Sequence, residues 1–185
     1  MRKELISTSK FLSLVLRHRP KMLGVTLDEQ GWVDVAVLLA AAAEHGRVIS
    51  RAELDEVVFT NDKQRFAFSP DGQKIRANQG HTVQVDLALP PQVPPDVLYH
   101  GTAVRFMGAI RKQGLQKMRR HHVHLSANED TAVRVGQRRG QAIVLLVDSA
   151  AMHQAGYLFY RSDNGVWLTD HVPPAFLSWE DTDSP

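Results

Sequence analysis

Pro90-Pro91-Gln92-Val93-Pro94-Pro95 holds four of the nine prolines in this 185-residue chain. Proline fixes its own φ and donates no backbone hydrogen bond, so the stretch continues neither a helix nor a central strand. It reads as a semi-rigid extended linker. It divides the chain into a first lobe, residues 1–92, and a second, residues 93–185.

Upstream of the linker, Phe66 and Phe68 alternate as in a strand, Ser69-Pro70-Asp71-Gly72 makes a turn, and Gln73–Ala77 returns. Further back, Ser50-Arg51-Ala52-Glu53 has the capping-box pattern that opens a helix. Asp34 can cap another helix through Val35–Glu44, closed by Gly46. A third, Ser9–His18, carries Phe11, Leu12, Val15 and Leu16 on one side, and Pro20 ends it by disfavouring helical geometry at Arg19. Three helices followed by a hairpin suggest, by fold-level analogy, a winged-helix module.

Downstream, strands are expected at 97–100, 122–125, 141–147, 156–161 and 165–169, with helices over Thr102–Gln113 and Asn128–Val135. Asp163-Asn164-Gly165 is a hairpin turn. The whole is an α+β protein whose second lobe is a small sheet domain. The acidic tail Glu180–Pro185 is expected to be disordered.

A formal net charge of +2 does not announce a nucleic-acid binder, but the charge is unevenly spread. Residues 1–21 carry six Lys or Arg against Glu4 alone, and 105–139 carry nine against Glu129 and Asp130. Such patches attract phosphates even on a nearly neutral protein. The absence of cysteine excludes thiol catalysis, disulfides and thiolate metal sites. No continuous apolar run is long enough for a signal segment or a membrane span, so a soluble cytoplasmic protein is expected.

Several short segments could carry chemistry. Arg76, Asn78, Gln79 and His81 stand on a Gly-punctuated strip without a carboxylate, which reads as a phosphate grip or as a polar turn after the hairpin. Tyr99-His100-Gly101-Thr102 ends a strand. Thr102 would cap the following helix and Gly101 would let a ligand approach the backbone, unless this is an ordinary strand-to-helix turn. His122 and His124 share a strand face, but no nearby acid completes a metal ligand set. Ser126-Ala127-Asn128-Glu129 repeats the capping-box pattern. Of Arg138 and Arg139, one can face solvent while the other enters a cleft. Arg17-His18, at a helix C-terminus, complements the macrodipole.

Taken in order, Leu16-Arg17-His18-Arg19-Pro20, Ile75-Arg76-Ala77-Asn78-Gln79-Gly80-His81, Tyr99-His100-Gly101-Thr102, His122-Val123-His124-Leu125-Ser126, Val135-Gly136-Gln137-Arg138 and Asn164-Gly165-Val166-Trp167-Leu168-Thr169 resemble the RNA 2′-phosphotransferase family, the KptA and tRNA 2′-phosphotransferase group. Thr82 stands where that family often has Ser, which keeps the hydroxyl. The resemblance implies a winged-helix RNA-binding lobe joined to an ADP-ribosyltransferase-like lobe that binds NAD⁺ as co-substrate, with no metal and no obligate dimer. The implied reaction removes an internal 2′-phosphate from RNA through an ADP-ribosylated phosphate intermediate. It yields 2′-hydroxyl RNA, nicotinamide and ADP-ribose 1″,2″-cyclic phosphate. Carried over by position, Arg17, His18, Arg76 and Arg138 form the catalytic set, and His100, Gly101, Thr102, His124, Leu125 and Ser126 fall on the NAD⁺ site. Val166 falls where many ADP-ribosyltransferases keep a catalytic glutamate. The alternative is an ADP-ribosyltransferase that caps terminal phosphates of RNA or DNA.

Overall fold

The computed structural model describes residues 3–61 and 63–179, so the tail at 180–185 lies outside the described residues. The chain forms two compact units, Met1–Leu89 and Pro90–Pro185. Both mix helices with small antiparallel sheets, and the described residues form six α-helices.

In the first unit, α1 (Lys3–Arg17) starts six residues earlier than its apolar spacing suggests, because Leu5 joins the buried stripe of Leu12, Val15 and Leu16. Pro20 opens a single 3₁₀ turn, Pro20–Leu23, which Gly24 closes at φ 66°. The short strand β1 (Val33–Asp34) leads into α2 (Val35–Glu44), and the Asp34 carboxylate accepts from the amides of Ala36 (2.8 Å) and Val37 (3.2 Å). In α3 (Arg51–Phe59), Ser50 accepts from the Glu53 amide. The expected capping box is half made, since the Glu53 carboxylate accepts from the Thr8 hydroxyl at 2.7 Å. That contact ties α3 to α1.

The hairpin consists of β2 (Phe66–Phe68) and β3 (Lys74–Ala77), with Phe68 opposite Ile75. β1 adds to the other edge of β3, giving the order β1-β3-β2. Leu12, Leu16, Leu38, Leu54, Val57 and Ile75 are fully buried and form the centre of this core.

The second unit begins with β4 (Val97–Ala103), which continues through the residues expected to open a helix. After a 3₁₀ turn at Val104–Phe106 come α4 (Met107–Gln113), β5 (Leu115–Gln116), β6 (Val123–Leu125) and α5 (Glu129–Gln137). Next are β7 (Ala142–Asp148), α6 (Ser149–Gln154), β8 (Tyr160–Arg161), β9 (Trp167–Thr169), β10 (His171–Val172) and β11 (Leu177–Ser178). Three sheets result, ordered β11-β7-β4, β6-β9-β8 and β10-β5. Ile143, Leu145 and Val147 alternate inward along β7 toward Leu98, Met152 and Phe159.

One packing detail fixes the layout of this unit. A Cβ on Gly101 would lie 1.7 Å from the Ala132 carbonyl of α5, and one on Gly136 would lie 2.7 Å from the Thr102 carbonyl. Only two glycines allow α5 to rest this closely on β4. Gly101 therefore serves helix-to-strand packing.

Candidate active site

In the first unit, one face of α1 lines a cleft of about 630 Å³. Ile6, Ser9, Lys10, Ser13, Leu14 and Arg17 recur at intervals of three and four, and His18 follows. Asn61, Lys63 and Arg65 form the opposing wall. Among the described residues no carboxylate lines the cleft.

The buried Asn61 builds this wall. Its amide donates to Ser9 Oγ at 3.0 Å, while its carbonyl oxygen accepts from the Lys63 amide and from Arg65 Nη1, each at 3.0 Å. One side chain thus anchors the 61–65 loop to α1 and aims the Arg65 guanidinium. Arg17 Nη2 reaches the Arg65 carbonyl at 3.4 Å. The Arg17 carbonyl accepts from the Thr82 amide at 2.9 Å, and Thr82 Oγ1 lies 3.0 Å from His18 Nδ1. The hydroxyl kept at position 82 therefore orients the His18 ring.

The strip at 76–81 is largely scaffold. Asn78 is buried, its backbone amide donating to the Arg65 carbonyl and its side-chain amide to the Gln64 carbonyl. His81 is 2% exposed and packs beneath Gly31. Neither presents donors to solvent, so the reading of the strip as a phosphate grip fails for these two residues. Arg76 lies on β3, half-buried, with its Cζ 4.5 Å above the Trp32 ring. It is not among the residues lining the cleft of Arg17 and His18.

In the second unit, β4 and β6 meet at one bridge, where Tyr99 and Ser126 exchange both backbone hydrogen bonds at 2.8 Å. His100 follows that bridge. Its Nδ1 lies 2.9 Å from the His124 carbonyl, which can only accept, so Nδ1 carries the proton and Nε2 offers a lone pair. Burial pushes the His100 pKa below its usual value. The bond to His124 opposes this shift, while the charges of Arg139 and Arg120 reinforce it. The ring is therefore neutral near pH 7.

Arg120 Nη1 stands 3.4 Å from His124 Nδ1. Burial and then Arg139 lower the pKa of Arg120 from its ordinary value. Two cations pressing on each other beside a neutral acceptor suit a ligand carrying both anionic oxygens and hydroxyl groups.

The remaining expected residues are distributed unevenly. Arg138 is exposed at the C-cap of α5, where a cation complements the helix dipole, and it is Arg139 whose charge reaches His100. Thr102 is buried within β4 opposite Ile143, and caps no helix. Leu125 is buried in the core. Asn128, and not Ser126, caps α5 by accepting from the Thr131 amide. Ser126 Oγ instead organises the turn, bonding the amide and carbonyl of Asn128. Val166 sits in the turn before β9, where its carbonyl accepts from the Ser162 amide and its own amide donates to Ser162 Oγ.

Sequence reasoning missed Asn61, Lys63, Arg65 and Arg120. Lys63 and Arg65 lie on a turn in which Gln64 has a φ of 40°, so no strand or helix period marks them in the sequence.

Residues 3–171 match the protein family described as RNA 2′-phosphotransferase, Tpt1 / KptA family. A "Probable RNA 2′-phosphotransferase" of Streptomyces griseus subsp. griseus is 59% identical over 179 residues, 93% of this chain and 95% of the relative. Relatives with the same description occur in Hahella chejuensis, 55% identical over 98% of both chains, and in Pseudomonas aeruginosa, 55% identical over 95% of this chain and 97% of the relative.

Proposed function

Because the chain belongs to the RNA 2′-phosphotransferase, Tpt1 / KptA family, we propose that it removes an internal 2′-phosphate from RNA in an NAD⁺-dependent reaction. The products are 2′-hydroxyl RNA, nicotinamide and ADP-ribose 1″,2″-cyclic phosphate. The observation that carries this reading is the cleft in which Arg17, His18 and Arg65 line one space.

The first unit is the RNA-binding part. Its order α1-β1-α2-α3-β2-β3, with the sheet order β1-β3-β2, supports a winged-helix reading. The antiparallel sheets of the second unit support an ADP-ribosyltransferase-like one. NAD⁺, when bound, supplies the ribose carbon that accepts the phosphate and the hydroxyl that later displaces RNA.

A phosphate dianion is already a nucleophile, so the first unit has to align it more than activate it. Arg17 and Arg65 hold its oxygens through planar guanidinium forks. His18, oriented by Thr82, can act as the general acid that protonates the departing RNA oxygen. In the second unit, His100 Nε2 suits a ribose hydroxyl donor and Arg120 suits developing charge on phosphate oxygens. His124 and Ser126 complete the NAD⁺ site with their side chains, while Gly101, Thr102 and Leu125 hold in register the strands that carry them.

The assignment keeps Arg17 and His18 from the set carried over by resemblance. It ranks Arg65, which lines the cleft with Arg17 and His18, and Arg120, which stands beside His124, ahead of Arg76, which stacks on Trp32, and Arg138, which stands at the C-cap of α5. The test is incubation with a 2′-phosphorylated oligonucleotide in EDTA, with and without NAD⁺, followed by mass analysis of the products. Dephosphorylation without NAD⁺ would point to an ordinary phosphatase. A stable ADP-ribosylated nucleic acid without cyclic phosphate would point to terminal-phosphate capping.

A further inference from the structure

The cleft in the first unit is larger than one phosphate requires. Its lining continues along α1 for eleven residues from Arg17 back to Ile6, about 16 Å at the helical rise. A stacked strand advances roughly 3.4 Å per nucleotide, so the cleft has room for several nucleotides beyond the one that reacts. Lys10 lies two helical turns from Arg17 on the same face. It is exposed, and no hydrogen bond or ion pair with a described residue commits its ammonium group elsewhere. Ser13 offers a hydroxyl between Lys10 and Arg17, Lys63 adds a cation from the opposing wall, and Ile6 and Leu14 supply apolar surface between the polar groups. Ile6 is 38% exposed, so its side chain is open to a ligand in the cleft.

We propose that this face of α1 is a track for the single-stranded RNA flanking the reacting phosphate, with Lys10 as a phosphate contact and Ile6 and Leu14 as its apolar floor. The inference rests on the RNA 2′-phosphate reading given above and adds to it that the enzyme discriminates by strand length. A basic groove with apolar surface follows a sugar-phosphate backbone without reading sequence. A minimal phosphate ligand would fill only the Arg17 and His18 end.

The test compares a 2′-phosphorylated dinucleotide with the same dinucleotide extended by three nucleotides on its 5′ side or on its 3′ side. Turnover is measured with NAD⁺, and binding without NAD⁺ is followed by fluorescence anisotropy at several salt concentrations. Extension on one side should raise kcat/KM for the native chain, and Lys10→Ala should cut the extended-to-dinucleotide ratio several-fold. The salt slope of binding to the extended strand should fall by about 0.7, the loss of one phosphate contact on a single strand. Lys10→Glu should deepen both effects. Alanine is the stronger helix former at this exposed position, so the fold is retained.

No gain from extension on either side, or an equal loss on both substrates in Lys10→Ala, overturns the track. Length-dependent binding that needs Lys10, in a protein showing no NAD⁺-dependent turnover, upholds the track and overturns the reaction assignment instead.

Discussion

The two units build their basic sites by different means. In Met1–Leu89, Lys10, Arg17 and His18 lie along one helix, and a single buried amide, Asn61, holds Lys63 and Arg65 against that helix. In Pro90–Pro185, His100, Arg120 and Arg139 come from a strand, a loop and the segment after a helix, and the two arginine charges act on His100 from distant points in the sequence. A helix face sets spacing locally, so its residues stay in place as long as the helix does. A cluster assembled across strands depends on how closely its elements pack, here on Gly101 of β4 and Gly136 of α5. The first site should therefore lose function without losing the fold, and the second should be lost with the fold.

The sharpest way to break that contrast is to remove a guanidinium from the first unit. Arg17→Ala or Arg65→Ala should lower kcat/KM about a hundred-fold to a thousand-fold, the usual cost of one charge-stabilising donor, with the unfolding midpoint little changed. Arg76→Ala should cost far less activity. The opposite ranking in steady-state kinetics would return the role to Arg76 and deny it to the cleft.

Gly101→Ala is the corresponding test in the second unit. Its methyl group would meet the Ala132 carbonyl at 1.7 Å, and overpacking of this kind costs about 1–3 kcal/mol or more. Denaturant titration should show that loss, and an unchanged midpoint would mean that α5 does not need its close seat on β4.

A smaller effect is expected at Thr82. Thr82→Val removes the hydroxyl that orients His18. Loss of a hydrogen bond worth about 0.5–1.5 kcal/mol should reduce kcat by up to about tenfold. Thr82→Ser should restore it, which a purely packing role for the methyl group would not allow.

The mildest probe is pH. The His100 pKa is lowered from 6.5, chiefly by burial. Above that value the ring is neutral both folded and unfolded. As pH falls below it, the unfolded chain takes up a proton that the folded chain resists, so stability declines. His100→Gln should flatten this decline in denaturation curves taken between neutral and mildly acidic pH, and an unaltered slope would show that His100 is not its source.

Much of the fold was legible because local chemistry dictates it. Asp34 and Ser50 cap the helices expected of them, and the hairpin around Ser69–Gly72 and the Asn164-Gly165 turn form where their residues demand. The strand at Val33–Asp34 was not legible, since two residues carry no period and only pairing with Ile75 and Lys74 reveals them. Thr102 misled because Ser and Thr mark both caps and strand interiors, and seven consecutive pairings with β7 decided between the two. Arg17 and His18 could be found from helix position. Arg65 could not, because its orientation depends on Asn61, a polar residue that nothing in the sequence marks as buried.

The most direct measurement is a single product analysis: the native chain, a 2′-phosphorylated oligonucleotide and NAD⁺ without metal, resolved by mass spectrometry. The account predicts 2′-hydroxyl RNA, nicotinamide and ADP-ribose 1″,2″-cyclic phosphate in equal amounts, and no reaction when NAD⁺ is omitted. Release of inorganic phosphate independent of NAD⁺ would contradict it.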